Sequence, residues 1–497
     1  MAKKEPEAQG AQQEARTVEV SEGQGLLDKI VQAGRWKGDV GRTAARDIIA
    51  EFAKQVIEGE ITISKDTEAM INARIAQIDS LISRQLNEIM HAEPFQKLEA
   101  SWRGLHYLVD KTETGTQLKI RVFNVAKREL SKDLERAIEF DQSQLFKKIY
   151  SAEYDMFGGE PFGALVGDFE FGKDPRDVSM LEKISNVAAA AHAPFISAAS
   201  ADLLNLESYT QLDEPRDLAK IFETSEYVKW RSFRDSEDSR YVAMCMPHVL
   251  MRAPYEEADV EAFRFKEEVD GKEHKKYLWG NAAYALAARL TDSFAKYGWC
   301  TAIRGVEGGG IVMDLPTHTF KTDEGDIALK CPTEIAITER RDKELADLGF
   351  VPLVHCKGKD YAAFFSGQSA QKPKKYREDA ANASAQLSAR LPYLMAVSRF
   401  AHYMKAMMRD KIGSFTSRGE AQNLLERWIA QYVLLDDTAG QEIKAQKPLR
   451  EARIEVKEIP GRPGCYRAVA HLRPHFQLEE IDVSLRLVAD LPPPAQG

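Results

Sequence analysis

From Gly163 onward short apolar runs alternate with helical patterns, and that order leaves the middle of this chain few folds to adopt. Apolar runs at 164–169, 195–199, 242–246 and 300–306 are short enough for strands, and segments of helical periodicity separate them, including 180–191 and 282–297. Strands joined through helices pair in parallel, because a crossover of that length returns the chain to the same end of the sheet. A strand, helix, strand group follows at 334–337, 338–348 and 351–355, with 361–365 as an additional strand. The pattern predicts a mixed α/β fold with a central, mostly parallel sheet and helices on its faces.

The last fifty residues read differently. Ala452, Ile454 and Val456 alternate with Arg453, Glu455 and Lys457, the period-2 signature of a half-buried strand, and a Pro460-Gly461-Arg462-Pro463-Gly464 turn follows. Tyr466, Ala468, Ala470 and Leu472 continue the alternation, and after Pro474 it resumes as Ile481, Val483, Leu485 and Leu487. Three strands make a small sheet, and its outer strands would present unpaired N–H and C=O groups. Two readings stand: the sheet packs on its own domain, or strands from other chains complete it.

Residues 1–24 hold hardly any large apolar side chain and are expected to be disordered. Leu26, Leu27, Ile30 and Val31 then form a narrow apolar stripe at helical spacing, bounded by Gly25 and Gly34. A helix of about two turns is marginal in water, so it either folds back on this chain or serves as a portable docking peptide on a glycine tether. Helical segments follow at 42–57 and 65–90. In the second, Ile71, Ile75, Ile78, Leu81, Ile82, Leu86 and Ile89 build a continuous stripe that requires a partner surface. Pro94 restarts a helix carrying Phe95, Leu98 and Trp102, with Trp102 expected as a core anchor; a strand is expected at 118–125. Further helices are expected at 387–412, where the methionines read as adaptable core filler, and at 420–435, where Ser417 and Glu420 have capping-box spacing.

Chemistry is hard to find. No Gly-Lys-Ser/Thr ends a glycine-rich turn, so no P-loop is present; Gly308-Gly309-Gly310 leads into Ile311 and Val312 rather than a helix and reads as a tight turn. No Gly-x-Ser-x-Gly elbow and no His-Glu-x-x-His occurs, and His471 and His475 flank Pro474 without a third ligand, so no metal and no cofactor is expected. Five cysteines without a C-x-x-C pair support neither a disulfide framework nor a zinc knuckle. A net charge of −9 argues against bulk nucleic-acid binding, and the basic run from Lys372 to Arg377 reads as a solvated linker. No apolar stretch reaches membrane-spanning length and the first residues lack a secretory signal, so a cytoplasmic protein without membrane insertion is expected.

Longer motifs carry more. Arg304-Gly-Val-Glu-Gly-Gly-Gly, Leu315-Pro-Thr-His-Thr-Phe-Lys-Thr, Lys330-Cys-Pro-Thr-Glu-Ile-Ala-Ile-Thr, Arg409-Asp-Lys-Ile-Gly-Ser-Phe and Leu472-Arg-Pro-His-Phe-Gln-Leu-Glu follow one another in order. In these segments the chain resembles the large sheath subunit of the type VI secretion system, the TssC or VipB family, from about residue 25 to the end.

The resemblance implies a structural protein rather than an enzyme. It implies a partnership with a small sheath subunit, stacking of the heterodimers as six-membered rings around an inner tube protein, attachment to a baseplate, and contraction that drives the tube outward. It implies that Ile454, Val456, Tyr466, Ala468, Ala470, Leu472, Ile481, Val483, Leu485 and Leu487 belong to a sheet exchanged between subunits. It further implies that Leu26, Leu27, Ile30 and Val31 dock an AAA+ unfoldase. The stripe at Ile71, Ile75, Ile78, Leu81 and Ile82 is the candidate small-subunit contact, and Glu479 and Glu480 are candidates to face the tube.

The expected organisation is then a flexible arm with the docking helix over 1–60, a helical small-subunit-binding region over 61–150, a central α/β domain over 151–370, and C-terminal helices with the inter-subunit sheet over 371–497. The rival readings are an α/β enzyme using Asp168, His192 or His248 near strand ends, and a phage-tail-type sheath protein that needs no small subunit.

Overall fold

A computed structural model describes residues 38–57, 67–256, 263, 265–322, 324–359, 361–414, 417–461 and 465–477. The chain divides into two compact units, one comprising residues 1–86 with 257–265 and the other 87–256 with 266–497. The first unit contains the helix Gly38–Ile57 and most of the helix Thr67–Met90, near the boundaries that periodicity predicts.

The second unit is built on a six-stranded sheet. Its strands are β1 (Leu165–Phe171), β2 (Phe195–Ala199) and β3 (Val242–Met246), then, after the short pair β4 (Val249–Leu250) and β5 (Trp279–Gly280), β6 (Ile311–Val312). A separate hairpin of β7 (His318–Lys321) and β8 (Ile327–Lys330) precedes β9 (Phe350–His355) and β10 (Ala362–Phe364). The sheet order is β1-β2-β3-β9-β10-β6; the first three pairings are parallel and the last two antiparallel. The expected mostly parallel central sheet is therefore present.

Every residue of β2 and β3 is buried, as parallel strands covered on both faces must be. Period 2 then sorts their side chains into two cores. Phe195, Val242, Met244, Met246, Phe350 and Val354 pack with Leu181 and Ile184 of the helix Pro175–Ala191. Ile196, Ala243, Cys245, Val351 and Leu353 pack with Leu286 and Leu290 of the helix Ala283–Tyr297. Asp174 starts the first of these helices by accepting from the Arg176 N–H at 2.8 Å, with Pro175 in the first turn, and Gly298 ends the second at φ 76°.

Three expected strands do not form. Residues 300–306 bury Ile303 in the second core, but the backbone turns at Gly305 (φ 73°), whose N–H reaches the Phe364 carbonyl at 2.7 Å; Ile311 and Val312 take the sheet position instead. Residues 118–125 are extended without a ladder among the described residues, held by ion pairs of Lys119 and Arg121 with Glu153 and Glu160. Residues 334–337 contribute to no strand, because the neighbouring bridge from Val249 ends at Thr333. Apolar content marked each of these segments, while partner backbone decided whether it paired.

Trp102 is also not a core anchor: it is 66% exposed. The helix Glu93–Asp110 instead turns Ala100, Gly104 and Leu108 inward, and the absent side chain at Gly104 lets the Tyr284 ring lie against the backbone. Trp102 projects from the outer side with Phe95 and Leu98.

At the C-terminal end the expected 387–412 helix is two, Asp379–Ser388 and Leu391–Asp410, with Pro392 in the first turn of the second. The helix Arg418–Ala430 opens with the Ser417/Glu420 capping box. It packs beneath a hairpin of β11 (Leu449–Glu458) and β12 (Tyr466–Pro474).

Candidate functional site

The hairpin is the first place where an assembly surface can be built from residues upward. In its antiparallel register Ala452 faces Leu472, Ile454 faces Ala470 and Val456 faces Ala468. Period 2 puts these pairs on one face, which lies on Leu425 and Ile429 of the Arg418–Ala430 helix and on the stacked rings of Trp299 and Phe400, 4.1 Å apart. Of the predicted strand residues, Ile454 and Val456 are buried, Tyr466, Ala470 and Leu472 half-buried, and Ala468 exposed.

The edges matter more than the face. Among the described residues β11 and β12 form a two-stranded sheet with no third strand. Among the described residues, backbone covers the outer side of β11 at its start, where the Leu434 N–H donates to the Leu449 carbonyl at 2.8 Å. Further along, the Val456 N–H donates at 3.5 Å to Oε1 of Gln422, a side chain standing where a strand would bond. A two-stranded ribbon is marginal by itself, and here the helix beneath supplies its core while, among the described residues, no third strand takes up its edge backbone. Ile481, Val483, Leu485 and Leu487, and with them Glu479 and Glu480, lie outside the described residues, as do Leu26, Leu27, Ile30 and Val31.

A second surface is the helix Thr67–Met90. Ile71, Ile75, Ile78, Leu81 and Ile82 share a stripe as predicted, and each side chain is between 42% and 52% exposed. Spacings of four, three, four and seven residues place Ile71, Ile75, Ile78, Ile82 and Ile89 along one side of the helix.

The enzyme reading is weakened by geometry. His192 caps the C-terminus of the helix before β2, bonded to the Tyr241 hydroxyl at 3.1 Å, whereas His248 follows β3. Because β2 and β3 run parallel, the two histidines stand at opposite ends of the sheet. Asp168 lies within β1.

What sequence reading missed is a chain of charges around His248. Its Nδ1 donates to Glu334, its Nε2 donates to Glu170 at 2.9 Å, and His274 Nε2 reaches the other Glu334 oxygen at 2.9 Å. The Ser208 hydroxyl also donates to Glu334, at 3.0 Å. Burial alone would lower the His248 pKa, but its hydrogen bonds to the Glu170 and Glu334 carboxylates outweigh it and raise it to about 10. Burial would likewise raise Glu334, yet its bonds to the two histidines hold it at about 2. Both nitrogens of His248 are committed to carboxylates, leaving neither lone pair for a metal or for proton shuttling. The arrangement ties β1, the end of β3, the 274 loop and the 334 segment into one node. Histidine and glutamate positions spread over 164 residues carry no sequence signal for it.

A second charge node joins the helix Glu93–Asp110 to the 252–267 region. Buried Arg252 bonds Glu99 through Nε at 2.7 Å and Glu267 through Nη1 at 2.5 Å, while Arg103 bonds Glu99 at 2.7 Å and the Tyr255 hydroxyl at 3.0 Å. No group of three or more metal-ligating side chains is assembled among the described residues. No helix among them is long and apolar enough to cross a membrane.

Comparison with known proteins gives these surfaces a context. The family model VipB, described as EvpB/VC_A0108, tail sheath N-terminal domain, matches residues 72–371. Its companion, described as EvpB/VC_A0108, tail sheath gpW/gp25-like domain, matches residues 380–491. The chain is 50% identical over 487 residues to the type VI secretion system sheath protein TssC1 of Pseudomonas aeruginosa, covering 97% of each protein. Among solved structures it is similar to a chain of the anti-feeding prophage baseplate, at 10% identity, 63% coverage of this chain, 66% of that one and a TM-score of 0.35. It is also similar to the contracted anti-feeding prophage helical sheath, at 12% identity, 62% and 66% coverage and a TM-score of 0.31. TM-scores this low do not define a shared fold.

Proposed function

Since this chain belongs to the VipB family of tail sheath proteins and is a type VI secretion sheath subunit, we propose that it pairs with a small sheath subunit and polymerises as six-membered rings around an inner tube. The observation that carries this reading is the β11–β12 hairpin, which packs on an apolar core beneath it and which no third strand joins among the described residues. Each strand added there contributes backbone hydrogen bonds worth about 0.5–1.5 kcal/mol net apiece, without dependence on side-chain shape. Such links persist while rigid bodies rotate past one another, so a sheath can keep its mesh and still switch between two packings.

In this reading the protein is a mechanical part and not a catalyst, works in the cytoplasm and consumes no nucleotide in the stroke. Residues 371–497 supply the exchanged sheet, 151–370 the rigid α/β body, 61–150 the small-subunit contact through Ile75, Ile78 and Leu81, and 1–60 the arm that offers Leu27 and Ile30 to an AAA+ unfoldase. The baseplate and tube are the remaining partners.

The test is expression with and without the small subunit, followed by electron microscopy. Tubes only from the pair support the reading; tubes from this chain alone indicate a phage-type sheath, and a lone chain with turnover indicates an enzyme. Ala468→Pro, which removes a backbone donor from β12, is expected to leave heterodimers and abolish tubes. Leu27→Asp or Ile30→Asp is expected to abolish unfoldase binding while tubes still form, and alanines at Ile75, Ile78 and Leu81 to lower heterodimer yield. Unchanged binding or yield removes the corresponding assignment.

A further inference from the structure

The outer face of the hairpin carries more cations than the carboxylates among the described residues balance. Opposite the apolar face, the register sets Lys457 against Arg467, Glu455 against Val469, Arg453 against His471 and Glu451 against Arg473. Four permanent cations therefore share this face with two carboxylates, in a chain whose overall charge is −9. Glu455 is already shared between Arg453 at 3.0 Å and Lys457 at 3.3 Å, and Glu451 lies 3.9 Å from Arg473. Arg467 has no carboxylate within ion-pair distance among the described residues.

Like charges directly opposite one another destabilise an antiparallel pair, so the Lys457–Arg467 position costs the isolated hairpin stability. The side chains are not turned aside: Arg453 and Lys457 are 73% and 69% exposed. From this face we infer that the hairpin docks an acidic surface of another protein chain, whose carboxylates approach Lys457, Arg467 and Arg453. The site uses a face of the hairpin, and so is separate from its strand-lending edges. The cations of this face follow strand spacing along the ladder. A protein surface with carboxylates at matching intervals satisfies it, and approach of such a surface removes the like-charge cost.

A zero-length carbodiimide, which condenses a lysine amine with a carboxylate and releases water, tests this on assemblies isolated from cells making the full chain. Lys457 is expected to appear in an amide to Asp or Glu of another polypeptide, identified by mass spectrometry, and Lys457→Arg abolishes that adduct. Arg467→Glu gives Lys457 an opposite charge across the strand, so it raises the melting temperature of the purified chain. The same change lowers the interchain adduct by about tenfold, equivalent to one favourable ion pair lost. A merely structural role would move both readouts together. Coupling of Lys457 only to Glu455 of its own chain, or no coupling at all, overturns the inference, as does ultraviolet crosslinking of this face to nucleic acid. Persistence of the Lys457 adduct when β11 and β12 edge amides exchange freely with solvent would remove the strand-lending reading and leave this one standing.

Discussion

His248 and Glu334 hold each other twice. The imidazole Nδ1 donates to the Glu334 carboxylate, and the Glu334 backbone N–H donates to the His248 carbonyl at 2.9 Å. Side chain and main chain together fix the 334 segment against the end of β3, although it forms no strand.

That pair predicts a bell-shaped dependence of stability on pH. Glu334 is depressed from 4.5 to about 2, so its contribution is fully present above 4.5 and lost as pH falls toward 2. His248 is raised from 6.5 to about 10, so its contribution is fully present below 6.5 and lost as pH rises toward 10. Urea denaturation at steps from pH 3 to 10 is expected to show the node at full strength between 4.5 and 6.5. His248→Gln should flatten the alkaline limb; an unchanged limb places the titration elsewhere.

Arg252→Met is expected to be strongly destabilising. Glu267 is almost wholly buried and Glu99 largely so; both bond the Arg252 guanidinium, and Arg103 is a second cation only for Glu99. Removing one member of a buried ion network typically costs about 3–5 kcal/mol. Adding Glu267→Gln should recover part of that loss in chemical denaturation, because one stranded charge is removed with it.

Gly104→Ala should cost about 1–3 kcal/mol by overpacking. A Cβ there would sit 2.4 Å from Tyr284 Cδ2. Tyr284→Leu in the same chain is expected to restore most of the melting temperature, and failure to do so would place the strain outside this helix contact.

Ile454→Ala, in the apolar face of β11, should cost about 2–5 kcal/mol, since the side chain is fully buried on the Arg418–Ala430 helix. Hydrogen exchange is expected to speed up first in the β11 and β12 amides. Uniform acceleration across the central sheet would mean that the hairpin and sheet unfold as one unit.

Legibility followed the range of the interactions. The helices Pro175–Ala191 and Ala283–Tyr297 and the buried runs of β2 and β3 were readable, because periodicity and capping act within a few residues. Residues 118–125, 300–306 and 334–337 looked like strands and were not, because a strand needs a neighbour with free backbone, and no local pattern records whether one is supplied. Trp102 was misplaced for a related reason: Gly104 made the opposite side of its helix the side of closest approach. The His248 node was invisible, since four side chains from distant segments meet only after the sheet has formed.

The layered α/β body, the strands of the terminal hairpin and, through long ordered motifs, the family were all legible in residue order, because local periodicity is a property of the chain. Folding in three dimensions set which apolar runs found partners, that no third strand joins the hairpin among the described residues, and that Lys457 stands across from Arg467. Those outcomes depend on which backbone and which charge come to lie side by side in space.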